Sequence, residues 1–126
     1  MHDRDTQLGG DVLVILRHPP HGSSWLREGL DAALVAAAFG QAVSLLFMGD
    51  GVMALAGGQG QGPLGQKGTA PTLDMLAMYD IEALYLESGA LSALGLNRDA
   101  LQLPAQPLEA ADIANLIAAH RLVLTF

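Results

Sequence analysis

The chain has 126 residues and a mass of 13.1 kDa, which is the usual size of one domain. Its formal net charge of −7 repels phosphate backbones and its six Lys and Arg residues form no cluster, so direct nucleic-acid binding is disfavoured. The sequence contains no cysteine, which excludes disulfides, thiolate metal sites and a cysteine nucleophile or persulfide carrier in this chain.

The first half of the chain has the pattern of a strand, a helix and a second strand. Residues 1–10 form a polar leader without the apolar stretch of a secretory signal, so we expect a cytoplasmic protein. Residues 11–17 and 42–48 are short apolar runs, which predicts strands buried on both faces. Between them, apolar residues recur every three or four positions over 25–39, which predicts a helix that ends at Gly40. This βαβ unit predicts parallel pairing.

The middle of the chain alternates turns, a loop and a third strand. Residues 49–56 are typical of a turn into a short helix. Gly and Gln dominate residues 57–70, which predicts a flexible loop. A helix over 71–78 and a strand over 81–86 are expected to follow.

The last third of the chain completes the alternation. We expect a short helix or turn over 88–96 and a weak edge strand over 101–105, where a proline cannot donate to a ladder. An amphipathic helix over 108–120 and a terminal strand over 122–126 end the chain. The whole pattern predicts a single α/β domain over residues 1–126, an open parallel five-stranded sheet with helices on both faces.

The chain is unusually apolar for its size. Hydrophobic residues make up 51% and the mean hydropathy is +0.34, so much of this excess must be covered, as it would be by a partner subunit. No apolar run reaches the roughly 18 residues that a membrane span needs, because Gly, Pro or a charged residue interrupts each candidate.

Candidate site residues lie where predicted strands end, since ligands of open α/β sheets gather at the carboxyl ends of strands. The best segment contains His21, Gly22, Ser23 and Ser24, which precede a helix whose free N–H groups could hold an anion or meet a partner. Helix capping by the serines alone also explains this segment.

Two other features have alternative explanations of the same kind. Asp50 and Gly51 after the second strand could hold a ribose or a cation, although Asp-Gly is also a common turn. His18 and His21 are three residues apart, but no acidic residue stands beside them to complete a metal site, so we expect no metal. No catalytic triad or phosphate-binding loop is present, and no cofactor is expected.

Several short motifs occur in a fixed order along the chain. Together they resemble the DsrF/TusC branch of the DsrE/DsrF/DsrH sulfur-relay family. The motifs span the first predicted strand to the last residue: Pro20-His-Gly22 with Arg27-Glu-Gly-Leu-Asp31, Phe47-Met-Gly-Asp-Gly-Val52, Gly58-Gln59, Met78-Tyr-Asp-Ile81, Leu94-Gly-Leu96 and Leu122-Val-Leu-Thr-Phe126.

The resemblance implies a flavodoxin-like parallel sheet and a non-catalytic, structural subunit of a heterohexamer with two copies of each of three related chains. The cysteine that carries sulfur is then expected on a DsrE/TusD-like subunit, with a DsrH/TusB-like subunit as the third partner. Sulfur would pass to a TusE/DsrC-like acceptor, for 2-thiouridine formation in tRNA or for sulfur oxidation. The residues alone leave two alternatives: a small-molecule or nucleotide-binding flavodoxin-like protein, and a homo-oligomer that works without partners.

Overall fold

The computed structural model describes residues 9–56, 73–101 and 103–126. Its strands are β1 (Gly10–Leu16), β2 (Val43–Phe47), β3 (Ala83–Glu87), β4 (Gln106–Leu108) and β5 (His120–Thr125). The α-helices of this part of the chain are α1 (Trp25–Ala38), α2 (Ser88–Ala93) and α3 (Ala110–Ala118), and 3₁₀ turns cover Gly49–Leu55, Ala77–Tyr79 and Arg98–Ala100. The leader up to residue 8 and the predicted loop over 57–70 lie outside the described residues.

The five strands form one sheet in the order β4-β3-β2-β1-β5, and every neighbouring pair is parallel. The predicted open parallel sheet is therefore confirmed. The order differs from the 2-1-3-4-5 order of flavodoxin itself. Here the chain steps from β1 to β4 in one direction and then returns past β1 to β5, so right-handed crossovers require helices on opposite faces.

The two faces of the sheet bury two separate apolar clusters. On one face α1, α2 and the turn at Gly49–Leu55 pack on alternate residues of the strands, Val12, Val14, Leu16, Leu45, Phe47 and Leu86. On the other face α3 packs through Ile113 and Leu116 on Leu13, Ile15, Leu46 and Tyr85. Burial raises the pKa of the Tyr85 hydroxyl. Helices on both faces are thus confirmed.

The end of the chain differs from the expectation. The edge strand predicted over 101–105 is wrong, because Leu101 makes only an isolated antiparallel bridge to Ala56 and the parallel strand starts at Gln106. Leu108 explains this shift, since its side chain is buried beneath α3 and fixes the register of β4 on β3. The predicted helix over 108–120 therefore shortens to α3, with Leu108 in the strand before it.

A buried polar pair anchors β5 to the sheet. His120 Nδ1 lies 2.8 Å from the carbonyl oxygen of Leu116, and its Nε2 lies 2.8 Å from Ser44 Oγ. Because a carbonyl oxygen only accepts, Nδ1 donates to the Leu116 carbonyl, and the Ser44 hydroxyl is the hydrogen-bond partner of Nε2. The pair connects β5, α3 and β2 through one side chain.

Candidate functional site

The carboxyl ends of the parallel strands meet at one edge of the sheet, and two regions are built there. The first, which we call the β1 loop, covers residues 17–24 and leads into α1. The second, the β2–β3 region, consists of the turn Gly49–Leu55 after β2 and the start of α2 after β3. The predicted site residues divide between these two regions.

The β1 loop holds four of the predicted site residues in one continuous segment. Pro20 is buried, and the ring of His18 stacks on Trp25 with centroids 5.6 Å apart and an angle of 22° between the planes. Gly22 has φ of 95°, a conformation that an L side chain rarely adopts. The loop thus reverses the chain between β1 and α1, and its partly buried His18 packs against the exposed Trp25 at the start of the helix.

The start of α1 confirms one part of the capping prediction. Ser24 occupies the N-cap position, and its carbonyl oxygen accepts the N–H of Glu28 at 2.9 Å. Its hydroxyl, however, donates to Glu28 Oε2 at 2.6 Å instead of accepting from a backbone N–H. The serine side chain therefore leaves the first N–H groups of the helix without a side-chain cap.

Several polar atoms of the β1 loop are buried without a protein partner. Among the described residues these are His18 Nδ1, His21 Nδ1 and Ser23 Oγ. Buried polar atoms normally find a hydrogen bond, and an unpaired one costs free energy. Among the described residues, the unpaired buried polar side-chain atoms at this edge of the sheet therefore lie in the β1 loop.

The turn after β2 is tied to the end of β1 by a close backbone approach. Met48 N–H donates to the carbonyl oxygen of Leu16 at 2.9 Å, and a Cβ added to Gly51 would lie 2.0 Å from the same oxygen. Only glycine fits at this contact. Gly51 is therefore a buried residue that packs against β1, whereas Asp50 beside it is exposed.

A shallow cleft of about 240 Å³ opens between the turn after β2 and α2. Its lining consists of Gly49, Asp50, Glu87, Gly89, Ala90, Ala93 and Leu94. Glu87 Oε1 accepts the N–H of Gly49 at 2.9 Å, and Ser88 Oγ donates to Glu109 Oε2. Of the two carboxylates in the lining, that of Glu87 is thus already hydrogen-bonded to the opposite wall of the cleft.

The structure brings Asp50 and Glu87 to the same cleft but leaves His21, Gly22, Ser23 and Ser24 outside its lining. The sequence analysis did not single out Glu87, although it predicted a strand that ends at residue 86. The available signal was an acidic residue that closes a buried strand. In the described part of the chain no three His, Cys, Asp or Glu side chains are grouped to hold a metal ion.

The lining of the cleft is acidic and otherwise apolar. Its two carboxylates repel an anionic ligand, and its other walls are backbone and apolar side chains.

Of the helices in the described ranges, none is long and apolar enough to cross a membrane.

Comparison with known proteins gives consistent matches over the described fold. The model of the DsrE/DsrF-like family matches residues 10–126. A protein named TusC homolog from Vibrio parahaemolyticus is 35% identical over 115 residues, covering 91% of this chain and 98% of the relative. The protein named intracellular sulfur oxidation protein DsrF from Allochromatium vinosum is 38% identical over 89 residues, covering 71% of this chain and 65% of the relative. The solved structure of the E. coli protein ychN superposes with a TM-score of 0.79 at 20% identity, covering 92% of this chain and 98% of that one, and so supports the fold.

Proposed function

This chain belongs to the DsrE/DsrF-like family, and we propose that it is a non-catalytic, structural subunit of a cytoplasmic complex that relays sulfur as a persulfide. The observation that carries the proposal is the absence of any cysteine from a chain whose relatives are named TusC homolog and DsrF. A persulfide forms on a thiolate, so a chain without a thiol cannot hold sulfur in this way.

The cleft at the carboxyl edge supports the same division of labour. Asp50 and Glu87 line it, and no hydroxyl in the lining stands free beside a base. A persulfide is an anion at neutral pH, and two carboxylates would repel it. The cleft is therefore suited to contact with a protein surface and not to sulfur transfer.

Exposed apolar side chains support an assembly role. Phe39 is 80% exposed and Met78 is 78% exposed, and smaller apolar surfaces are contributed by Trp25, Val35 and Leu122. Burial of such side chains in an interface removes apolar area from water, which favours association. Partner subunits that pack against this chain would cover this apolar surface.

The partners in this proposal are a DsrE/TusD-like subunit that carries the reactive cysteine and a DsrH/TusB-like subunit. The complex delivers sulfur to a TusE/DsrC-like acceptor, either for tRNA 2-thiouridine synthesis or for sulfur oxidation. This chain makes no direct contact with nucleic acid in the scheme, in agreement with its net charge of −7.

Co-expression tests the proposal. We expect this chain to co-purify with a DsrE-like and a DsrH-like subunit from the same genome and to form one stable complex in size-exclusion chromatography with light scattering. The control omits one partner at a time and should lower the yield of the complex. A chain that stays apart from both partners, or that instead gains thermal stability with a flavin or a nucleotide, would overturn the assembly role.

A further inference from the structure

The two edges of the sheet are protected to very different degrees. The β4 edge is a strand of three residues with Pro107 at its centre, and a proline has no N–H to offer to another strand. The β5 edge is a strand of six residues without proline. Natural proteins usually blunt or cover an edge of this second kind.

The hydrogen bonds at the end of β5 show which backbone groups point outward. Phe126 N–H donates to the carbonyl oxygen of Ile15, and the Phe126 carbonyl accepts from Arg17 N–H, both at 2.8 Å. In a parallel strand both groups of a residue point to the same side, and successive residues alternate. The backbone N–H and C=O groups of Leu122 and Leu124 therefore also point toward β1. The backbone groups of the alternate residues point away from the sheet.

The outward residues are Arg121, Val123 and Thr125. Their backbone groups make no hydrogen bond to another strand of the described sheet, because β5 pairs there with β1 alone. Arg121 and Thr125 are exposed, and the Arg121 guanidinium reaches only to 3.9 Å from Asp11 with 85% of its side chain in solvent. Within the described sheet, the edge is thus an accessible row of donors and acceptors that pair with no other strand.

We propose that this edge pairs with β5 of a second copy of the chain, antiparallel and around a two-fold axis at Val123. In that register Val123 faces its own copy, and Arg121 faces Thr125 of the other copy. These are the residues whose N–H and C=O groups point outward, so each facing pair exchanges both backbone hydrogen bonds.

The side chains of β5 fit this register without a conflict of charge. Residues directly opposite each other lie on the same face, so Leu122, which is 50% exposed, meets Leu124 of the second copy on the face that carries α1. Arg121 meets a neutral threonine and not a second arginine. The strand is therefore self-complementary, which a two-fold interface requires.

The inference goes beyond the proposed function and does not depend on it. The contact is tested on the full chain alone and again in the co-expressed complex, so loss of the pairing would leave the relay role untouched.

A single introduced thiol gives the most specific test. The chain has no cysteine, so Val123→Cys creates its only thiol. In a hydrogen-bonded antiparallel pair the Cα atoms are about 5.5 Å apart, inside the range of about 4.4–6.8 Å that a disulfide needs. We expect mild oxidation to give a covalent homodimer on a non-reducing gel, whereas the control Gln106→Cys on the β4 edge should stay monomeric.

Two outcomes of this test would overturn the proposal. One is a Val123→Cys chain that gives no more cross-linked dimer than the Gln106→Cys control. The other is a chain in the co-expressed complex that cross-links only to a different subunit, because the occupant of the edge would then not be a second copy.

Charge substitutions at the exposed Thr125 provide an independent test. Thr125→Lys places a positive charge opposite Arg121 of the second copy at both ends of the interface, and Thr125→Glu places a negative one there. Across the two symmetric pairs we expect the dimer dissociation constant to rise on the order of tenfold for Thr125→Lys and to fall for Thr125→Glu. Sedimentation that shows the same dissociation constant for both variants would contradict the register.

Discussion

The β1 loop and the β2–β3 region lie side by side at the same edge of the sheet, yet they are built differently. In the β2–β3 region Gly51 packs against the carbonyl of Leu16, and Glu87 accepts a backbone N–H across the cleft. In the β1 loop, polar atoms of His21 and Ser23 are buried without a protein partner. The difference indicates that Gly51 belongs to the scaffold, whereas the β1 loop contains buried polar atoms that no protein group satisfies.

The largest expected effect is at the close contact of the β2–β3 region. Gly51→Ala places a Cβ 2.0 Å from the Leu16 carbonyl oxygen, so backbone must shift. We expect the free energy of unfolding to fall by about 3 kcal/mol in chemical denaturation.

The matched control is Gly89→Ala in α2, where an added Cβ meets nothing within 4 Å. A helix favours alanine over glycine, so this variant should keep or slightly raise stability. Equal losses for both variants would mean that the tight packing of the turn after β2 is not what stabilises this region.

A smaller effect is expected at Gly22 in the β1 loop, because its backbone conformation and not the space around it restricts substitution. Gly22 has φ of 95° with open space around its Cα, so Gly22→Ala should lower the free energy of unfolding by about 1–2 kcal/mol through backbone strain. Gly22→Asn should recover part of this loss, because asparagine tolerates positive φ better than alanine. An alanine variant as stable as the wild type would show that the loop relaxes freely.

The carboxylate of Glu87, which joins the two walls of the cleft, should contribute still less to the free energy of unfolding. Glu87→Ala removes the acceptor of the Gly49 N–H, and we expect a loss of about 1 kcal/mol in the free energy of unfolding. Glu82→Ala, at an exposed position just before β3, is the control and should be close to neutral. If Glu82→Ala costs as much, the effect comes from net charge and not from the hydrogen bond.

The smallest expected effect distinguishes the two serine hydroxyls of the β1 loop. Ser23→Ala removes a buried hydroxyl that has no partner, so stability should stay unchanged or rise by up to about 1 kcal/mol. Ser24→Ala, which removes the bond to Glu28, should instead lower it by roughly 0.5 kcal/mol. A clear loss of thermal stability for Ser23→Ala would show that this hydroxyl is bonded after all.

How much the sequence predicts depends on the kind of element. The runs that became β1 and β2 are continuous and apolar, so burial on both faces is visible in them, and the periodicity of α1 locates that helix to within one residue of its end. The position of β4 was missed, because three residues around a proline carry almost no pattern and Leu108 fixes them only through tertiary burial.

The site was harder to predict than the fold. The strand ends were located correctly, but the role of Glu87 depends on a bond to Gly49, which is 38 residues away in sequence. In the same way, the packing role of Gly51 depends on the position of the Leu16 carbonyl in a neighbouring strand. Local sequence does not encode such distances, so the Asp-Gly pair favoured a simple turn, with a ligand site as the alternative, and its packing role was not predicted.

The central claim is that the sulfur travels on a partner and not on this chain. It is tested most directly by exposing the isolated chain and the co-expressed complex to a persulfide donor with isotopically labelled sulfur, followed by intact-mass analysis of every subunit. We predict the label on a cysteine of the DsrE-like subunit and none on this chain in either sample. Labelled sulfur that binds to the isolated chain and passes from it to an acceptor would contradict the account.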